Sequence, residues 1–135
     1  MLNDYISVSN GKIINLSFEV DLFIDKKIPQ SQIISQVITN IQNFMNISKY
    51  EMGDNIYLSP LIETINNVGG VLNVIDLRVY NKVGEGKYSV NEIQQPYIDN
   101  ETRQIDISGE YTLFGDSVSM FEVRFPNIDI RVRVK

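Results

Sequence analysis

The chain contains no cysteine and no histidine among its 135 residues. Disulfides, thiolate metal sites and cysteine nucleophiles are thereby excluded. The usual general base near neutral pH and the commonest transition-metal ligand are missing too. There is no tryptophan, and only four prolines and eight glycines punctuate the chain. No apolar run reaches the length of a membrane span. The start, MLNDYISVSN, lacks the basic residues and apolar stretch of a secretion signal, so synthesis in the cytosol is expected. Three Asn-x-Ser/Thr triplets, at Asn15, Asn46 and Asn100, carry no meaning without such a signal.

What is present is an ordinary globular composition, 43% hydrophobic, enough to bury a core in one domain. The net charge of -5 opposes nucleic-acid binding overall. The C-terminal stretch departs from that balance, with Arg124, Arg131, Arg133 and Lys135 set against Glu122 and Asp129. It reads either as a basic edge that meets an acidic partner or as a solvated strand face.

Residues 1–11 read as a lead-in that ends on the turn signal Asn10-Gly11, and residues 12–135 as one domain. Ile14, Leu16, Phe18, Val20, Leu22 and Ile24 then alternate with polar residues, and only Phe23 breaks the pattern. A period of two over this length predicts a long strand with one buried face. After Pro29, Ile33, Ile34, Val37, Ile38, Ile41, Phe44 and Met45 recur at helical spacing and predict a helix over 30–46. Its other face, Gln32, Ser35, Gln36, Thr39, Asn40, Gln42 and Asn43, is polar but uncharged, which hints at a protein contact.

Residues 55–58 suit a short strand. Ser59-Pro60 predicts a short helix over 60–67, with serine as its cap and Leu61, Ile62 and Ile65 inward, closed by Gly69-Gly70. Val71, Ile75, Leu77 and Val79 predict the inward side of a second strand, with Asp76, Arg78 and Tyr80 on the other side. The first strand, the long helix and this strand could form a crossover unit. Short strands are expected at 104–108, 110–114 and 120–125, and a last strand from Ile128, where Ile128, Ile130, Val132 and Val134 alternate with charged residues. The order predicts an α+β fold: a mixed, largely antiparallel sheet with one long and one short helix packed on one face.

Candidate chemistry is thin. The acid pairs Asp99 with Glu101, Glu19 with Asp21, and Asp106 with Glu110 have spacings common on solvated strands and turns. Gly84-Glu85-Gly86-Lys87 glances toward a phosphate loop, but Tyr88 stands where serine or threonine belongs. Gly69-Gly70 follows a helix and precedes a strand, the reverse of the dinucleotide order. Asp99-Asn100-Glu101 lacks the glycine and closing glutamate of a calcium loop. No catalytic, metal or cofactor site is expected, and no enzyme.

The aromatic residues say more. Tyrosines suit interfaces because one end is apolar and the other wet. Tyr57, Tyr80, Tyr88 and Tyr97, with Arg124, Arg131 and Arg133, are the candidate protein-interface residues; covering the edge of the core is the other reading for the tyrosines.

The run from Met52 to Val74, MGDNIYLSPLIETINNVGGVLNV, carries a family likeness. So do Glu92 to Tyr97 with Arg103 to Asp106, and Met120 to Pro126 with Asp129-Ile130. Together they resemble the C-terminal region of the large baseplate wedge subunit of T4-like contractile-tailed bacteriophages, within the baseplate J-like group. The likeness runs from about Ile13 to the end, and none of its motifs is catalytic. It implies a C-terminal piece of a longer wedge protein, made in the bacterial cytoplasm and built into the virion. The partners it implies are a second copy of itself and other wedge proteins of the ring around the tail hub. No nucleic-acid or membrane partner is expected. The competing expectation is a small binding module whose basic last strand meets an acidic ligand or nucleic acid.

Overall fold

A computed structural model describes residues 12–47, 56–84, 87–89, 91–93, 98–99, 101–108, 112–113 and 119–135. The lead-in before residue 12, Tyr97 and Glu110 lie outside the described residues. Strand β1 spans Lys12–Ile24 and helix α1 Gln30–Ile47. Strand β2 (Ile56–Tyr57), helix α2 (Ser59–Asn66) and strand β3 (Val71–Lys82) follow. The remaining elements are β4 (Thr112–Leu113), β5 (Ser119–Glu122), the one-turn helix α3 (Pro126–Asp129) and β6 (Ile130–Val134). The fold is α+β, as expected.

The alternation in β1 decides the layering. Ile14, Leu16, Phe18, Val20 and Leu22 are fully buried, and Ile24 nearly so. Ile33, Val37 and Ile41 of α1 and Leu61 and Ile65 of α2 join the same hydrophobic cluster, so both helices cover this one face of the sheet. Strand β1 is central. It pairs antiparallel with β3 from Asn15 opposite Lys82 to Ile24 opposite Val71. This pairing replaces the suggested crossover: a parallel partner would be needed for that, and the two helices instead return the chain in the opposite direction.

The other edge of β1 is shared. Strand β5 runs parallel to it along Lys12–Asn15, and β6 parallel along Phe18–Leu22. Between the two ladders the chain leaves the sheet, makes α3 and rejoins. The last strand therefore starts at Ile130 and not at Ile128. Pro126 sits in the first turn of α3, and the amides of Ile128 and Asp129 both donate to Phe125 O, at 2.9 and 2.8 Å. The expected strand at 104–108 reduces to isolated bridges, Gln104 with Tyr80 and Ile105 with Ile98.

Two local readings are corrected by the backbone. Ile75, expected inward, is 39% exposed. The register of β3 against β1 slips twice, leaving Leu72 and Ile75 without partners, and each extra residue inverts the inside–outside phase. Val74 packs against the core instead. Ser59 is the first residue of α2, not its cap; Leu58 holds the cap position without a side-chain hydrogen bond.

Gly70 is required where it stands. Its φ is +99°, and a β-carbon there would lie 2.7 Å from Ile33 Cδ1 and 2.9 Å from Ile33 Cγ1. Its carbonyl accepts the Asp25 amide at 2.7 Å, tying the end of β1 to the start of β3. Gly70→Ala is expected to lower unfolding free energy by about 1–2 kcal/mol through strain and overpacking, read by urea denaturation. An unchanged midpoint would show that α1 can shift away without cost.

Candidate interaction face

The odd-numbered residues of β1 point away from the helices: Asn15, Ser17, Glu19, Asp21 and Phe23. Register sets what flanks them. On β3 the partners of Ser17, Glu19 and Asp21 are Tyr80, Arg78 and Asp76. On β6 the partners of Glu19 and Asp21 are Arg131 and Arg133. A central acidic column is thus enclosed by cations from both sides.

Arg78 holds this face together. Its Nη1 and Nη2 donate to Asp21 Oδ2 and Oδ1, both at 3.1 Å, a two-pronged pair. Nη1 also reaches Asp76 Oδ2 at 2.6 Å, and Nε reaches Glu19 Oε1 at 3.3 Å. The hydrogen bonds from Arg78 hold the Asp21 carboxyl below its ordinary range, against the opposing effect of burial. The same bonds raise the pKa of Arg78, so the guanidinium stays charged. Glu19 also accepts from Tyr80 Oη at 3.4 Å and meets Arg133 Nη2 at 3.5 Å and Arg131 Nη1 at 3.9 Å. The last two arginine side chains remain 61% and 63% exposed, so these pairs contribute little to stability.

The structure therefore brings Tyr80, Arg131 and Arg133 together around Glu19. Tyr88 and Arg124 form a second group at one end of the face. The Tyr88 hydroxyl donates to the buried Asp129 carboxylate, 2.9 and 3.1 Å from its oxygens. The Tyr88 ring stands edge-on to Phe125 with centroids 5.5 Å apart, and Arg124 lies 5.5 Å from that same Phe125 ring. Both line a shallow cleft of about 400 Å³ with Ile13, Asn15 and Glu122. Tyr57 stands apart, exposed on the small sheet where β2 pairs with β4.

Sequence reading missed Arg78, Asp76 and Asn15 as members of this region, and Asn81 as its support from the helix side. Arg78 sits on the polar side of its strand like many solvated residues, and only the β1–β3 register places it between two acids. Asn15 on the polar face and Asn81, opposite Leu16 on the helix side of the sheet, hold Ser89 and Ile93 against the sheet from its two sides. Asn15 Oδ1 accepts the Ser89 amide and Asn81 Oδ1 the Ile93 amide, each at 2.7 Å.

The acid pairs have local uses. Asp99 Oδ1 accepts the amides of Glu101 at 2.8 Å and Thr102 at 3.1 Å, and these bonds lower its pKa. Asp106 Oδ1 accepts the Ser108 hydroxyl at 2.6 Å and amide at 2.9 Å, with the same effect. Both arrangements are turns closed by a carboxylate. Among the described residues no group of three metal-ligating side chains comes together, and no helix is long and apolar enough to cross a membrane. No family model matches the chain, and no curated protein matches its sequence.

Proposed function

We propose that this chain is a structural assembly module, the C-terminal interaction module of a phage-tail baseplate wedge subunit. Its place would be the virion, in the ring around the tail hub. The observation that carries the assembly reading is the sheet face opposite the helices. Its three acids, Glu19, Asp21 and Asp76, share Arg78, and Arg131 and Arg133 supply the two further positive charges that balance them, so a partner covering it meets little net charge. Its rim offers exposed apolar side chains at Ile13 and Phe23 and two outward arginines at Arg131 and Arg133. Aromatic and arginine side chains beside apolar ones are what protein interfaces favour. The baseplate assignment rests on the wedge-like run from Met52 to Val74, whose described part, from Ile56 on, holds β2, α2 and the start of β3.

The test is co-expression with baseplate wedge proteins of a T4-like phage, followed by co-purification and light scattering. The expected result is a stable complex with at least one wedge protein and a mass above that of one chain. A strict monomer at high concentration with no affinity for any of them would overturn the proposal. Charge reversal at Arg131 and Arg133 separates the competing reading. A salt-dependent affinity for DNA that the double variant abolishes would favour a basic-strand binding module instead.

A further inference from the structure

The two flanks of the main sheet are finished differently. Along β3 the edge is closed. The Val74 amide donates to Asn66 Oδ1 at 3.1 Å, the Val79 carbonyl accepts the Ile105 amide at 2.8 Å, and the Asn81 amide donates to Arg103 O at 2.9 Å. Bulges at Leu72 and Ile75 break the same edge twice. Such devices keep another strand from pairing. Along β6 none of these is found. The strand runs without a bulge or a proline from Ile130 to Val134 and pairs only with β1 among the described residues. The Lys135 amide donates to Leu22 O at 2.8 Å, and its carbonyl accepts the Ile24 amide at 3.4 Å. The odd-numbered residues of β6 therefore turn their backbone groups toward β1. Val132 and Val134 turn theirs outward, where no backbone group among the described residues meets them.

We infer that the outer edge of β6 takes up one more strand, supplied as an extended acidic segment of a partner protein. The inference deepens the assembly reading, on which its choice of a protein partner rests. Strand addition asks three things of the host: free backbone groups, apolar side chains to cover on one face, and a side-chain code on the other. Val132 and Val134 supply the first. Their side chains supply the second. They pack against the core from the helix side yet stay half-buried, whereas their partners on β1, Val20 and Leu22, are fully buried. A neighbour on the open side completes their cover.

The code on the polar face is positive. The Arg131 and Arg133 side chains are 63% and 61% exposed, and among the described residues the one carboxylate within ion-pair distance is that of Glu19, at 3.9 and 3.5 Å. A guanidinium has five donors, which leaves several for a carboxylate arriving on the side away from β1. Lys135 continues the row. Just past the strand end, Lys26 and Lys27 stand with Ile24, Ile28 and Val134 around a shallow cleft of about 570 Å³. An added strand lies about 4.8 Å from β6, which sets its alternate side chains directly beside the arginines. Carboxylates there meet opposite charge, and apolar residues between them cover Val132 and Val134. The same arginines exclude a second copy from this position, because β6 laid against β6 sets arginine beside arginine. The ladder is short, since β6 has five residues and only every second one faces outward. Charge therefore carries much of the affinity, with the salt dependence that follows.

The probe is an acetylated peptide of about eight residues that alternates glutamate with valine and threonine, titrated into the full chain at low salt. Fluorescence anisotropy reads binding, and hydrogen exchange reads where the backbone pairs. The expected result is saturable binding that weakens as salt rises, with slower exchange at the amides of Val132 and Val134 and no change in β3. Three changes should each weaken binding at least about tenfold. One puts glutamine for glutamate in the peptide. The second is the double variant Arg131→Glu with Arg133→Glu. The third is Val132→Pro, which removes an outward N–H and leaves the bonds to β1 in place. Circular dichroism checks that both variants fold, and a peptide N-methylated at alternate residues tests the same ladder without touching the protein. No binding, or binding that leaves Val132 and Val134 exchanging at their free rate, overturns the strand addition. A DNA oligonucleotide that binds as tightly as the peptide would show that charge alone is read, and would overturn it too. Co-purification with wedge proteins separates the two readings. Wedge binding that survives both protein variants removes the edge and leaves the assembly reading standing. Peptide pairing at the edge with no wedge protein bound keeps the edge as a docking site and removes the baseplate reading.

Discussion

Arg78→Met is expected to lower unfolding free energy by about 3 kcal/mol at pH 7, the low end of the range for breaking a buried ion pair. Methionine keeps most of the apolar stem, so the loss reports the guanidinium and not the packing. Arg78 and the acids Glu19 and Asp21 have side chains only 18%, 14% and 13% exposed, which limits screening by solvent. Without Arg78 the burial of Asp21 remains while its main counter-charge is gone. Arg131 and Arg133 are too exposed to take over. Asp76→Asn should cost far less, because Asp76 is 52% exposed and binds Arg78 from the solvent side.

The pH dependence gives the sign. Asp21 has a folded pKa below the ordinary value of 3.8. Such a group contributes stability that is fully present above the unfolded value and is lost as pH falls through the depressed folded one. The original chain therefore loses this contribution below about pH 4. In the variant Asp21 no longer gains from ionising, and protonation relieves its burial. The gap between the two proteins should narrow between pH 7 and pH 3 in urea denaturation. A gap that is already absent at pH 7 would show the network to be a surface feature with no role in holding the face.

The long elements were legible because their patterns are unbroken. Strand β1 keeps one parity from Ile14 to Ile24, and α1 keeps one apolar stripe, so each could be read without knowing its neighbours. Ile75 was misread because a bulge changes parity through pairing with β1, and pairing leaves no mark in the residue order. The last strand was expected from Ile128; the single helical turn that Pro126 begins delays β6 by two residues. The candidate face was legible only in parts. Tyr80, Arg131 and Arg133 were each placed on the polar side of a strand. Their meeting at Glu19 depends on strand order, with β3 and β6 on opposite flanks of β1. The same holds for Arg78: its position on a polar strand face was visible, but its three acidic partners come from two strands in a given register.

Asn81→Leu is the second large expected effect, about 2–4 kcal/mol, and it tests how the face is closed at its Tyr88 end. Asn81 is fully buried near the end of β3. Its Oδ1 accepts the Ile93 amide at 2.7 Å, and its Nδ2 donates to the carbonyls of Asn91 at 3.3 Å and Asn15 at 3.5 Å. Leucine fits the volume but orphans the Ile93 amide in a dry site, where an unmade hydrogen bond costs most. The consequence is local as well as global. Ile93 is 2% exposed and is drawn into the core by this bond. Ser89, bound to Asn15, fixes the other end of the segment, and Tyr88 beside it reaches Asp129. Loosening at residue 93 should therefore spread to Tyr88 and uncover Asn15 on the sheet face. Hydrogen exchange provides the readout: the amides of Ser89 and Ile93 should exchange faster than those of β1 by more than the global loss accounts for. Uniform acceleration across the chain would mean that the segment and the sheet unfold as one unit. Asn81→Asp gives the contrast, since it keeps the acceptor for Ile93 but replaces the donor with a buried carboxylate. If the acceptor is what holds the segment, exchange at Ile93 in that variant should stay closer to the original than in the leucine variant once the aspartate is protonated at low pH.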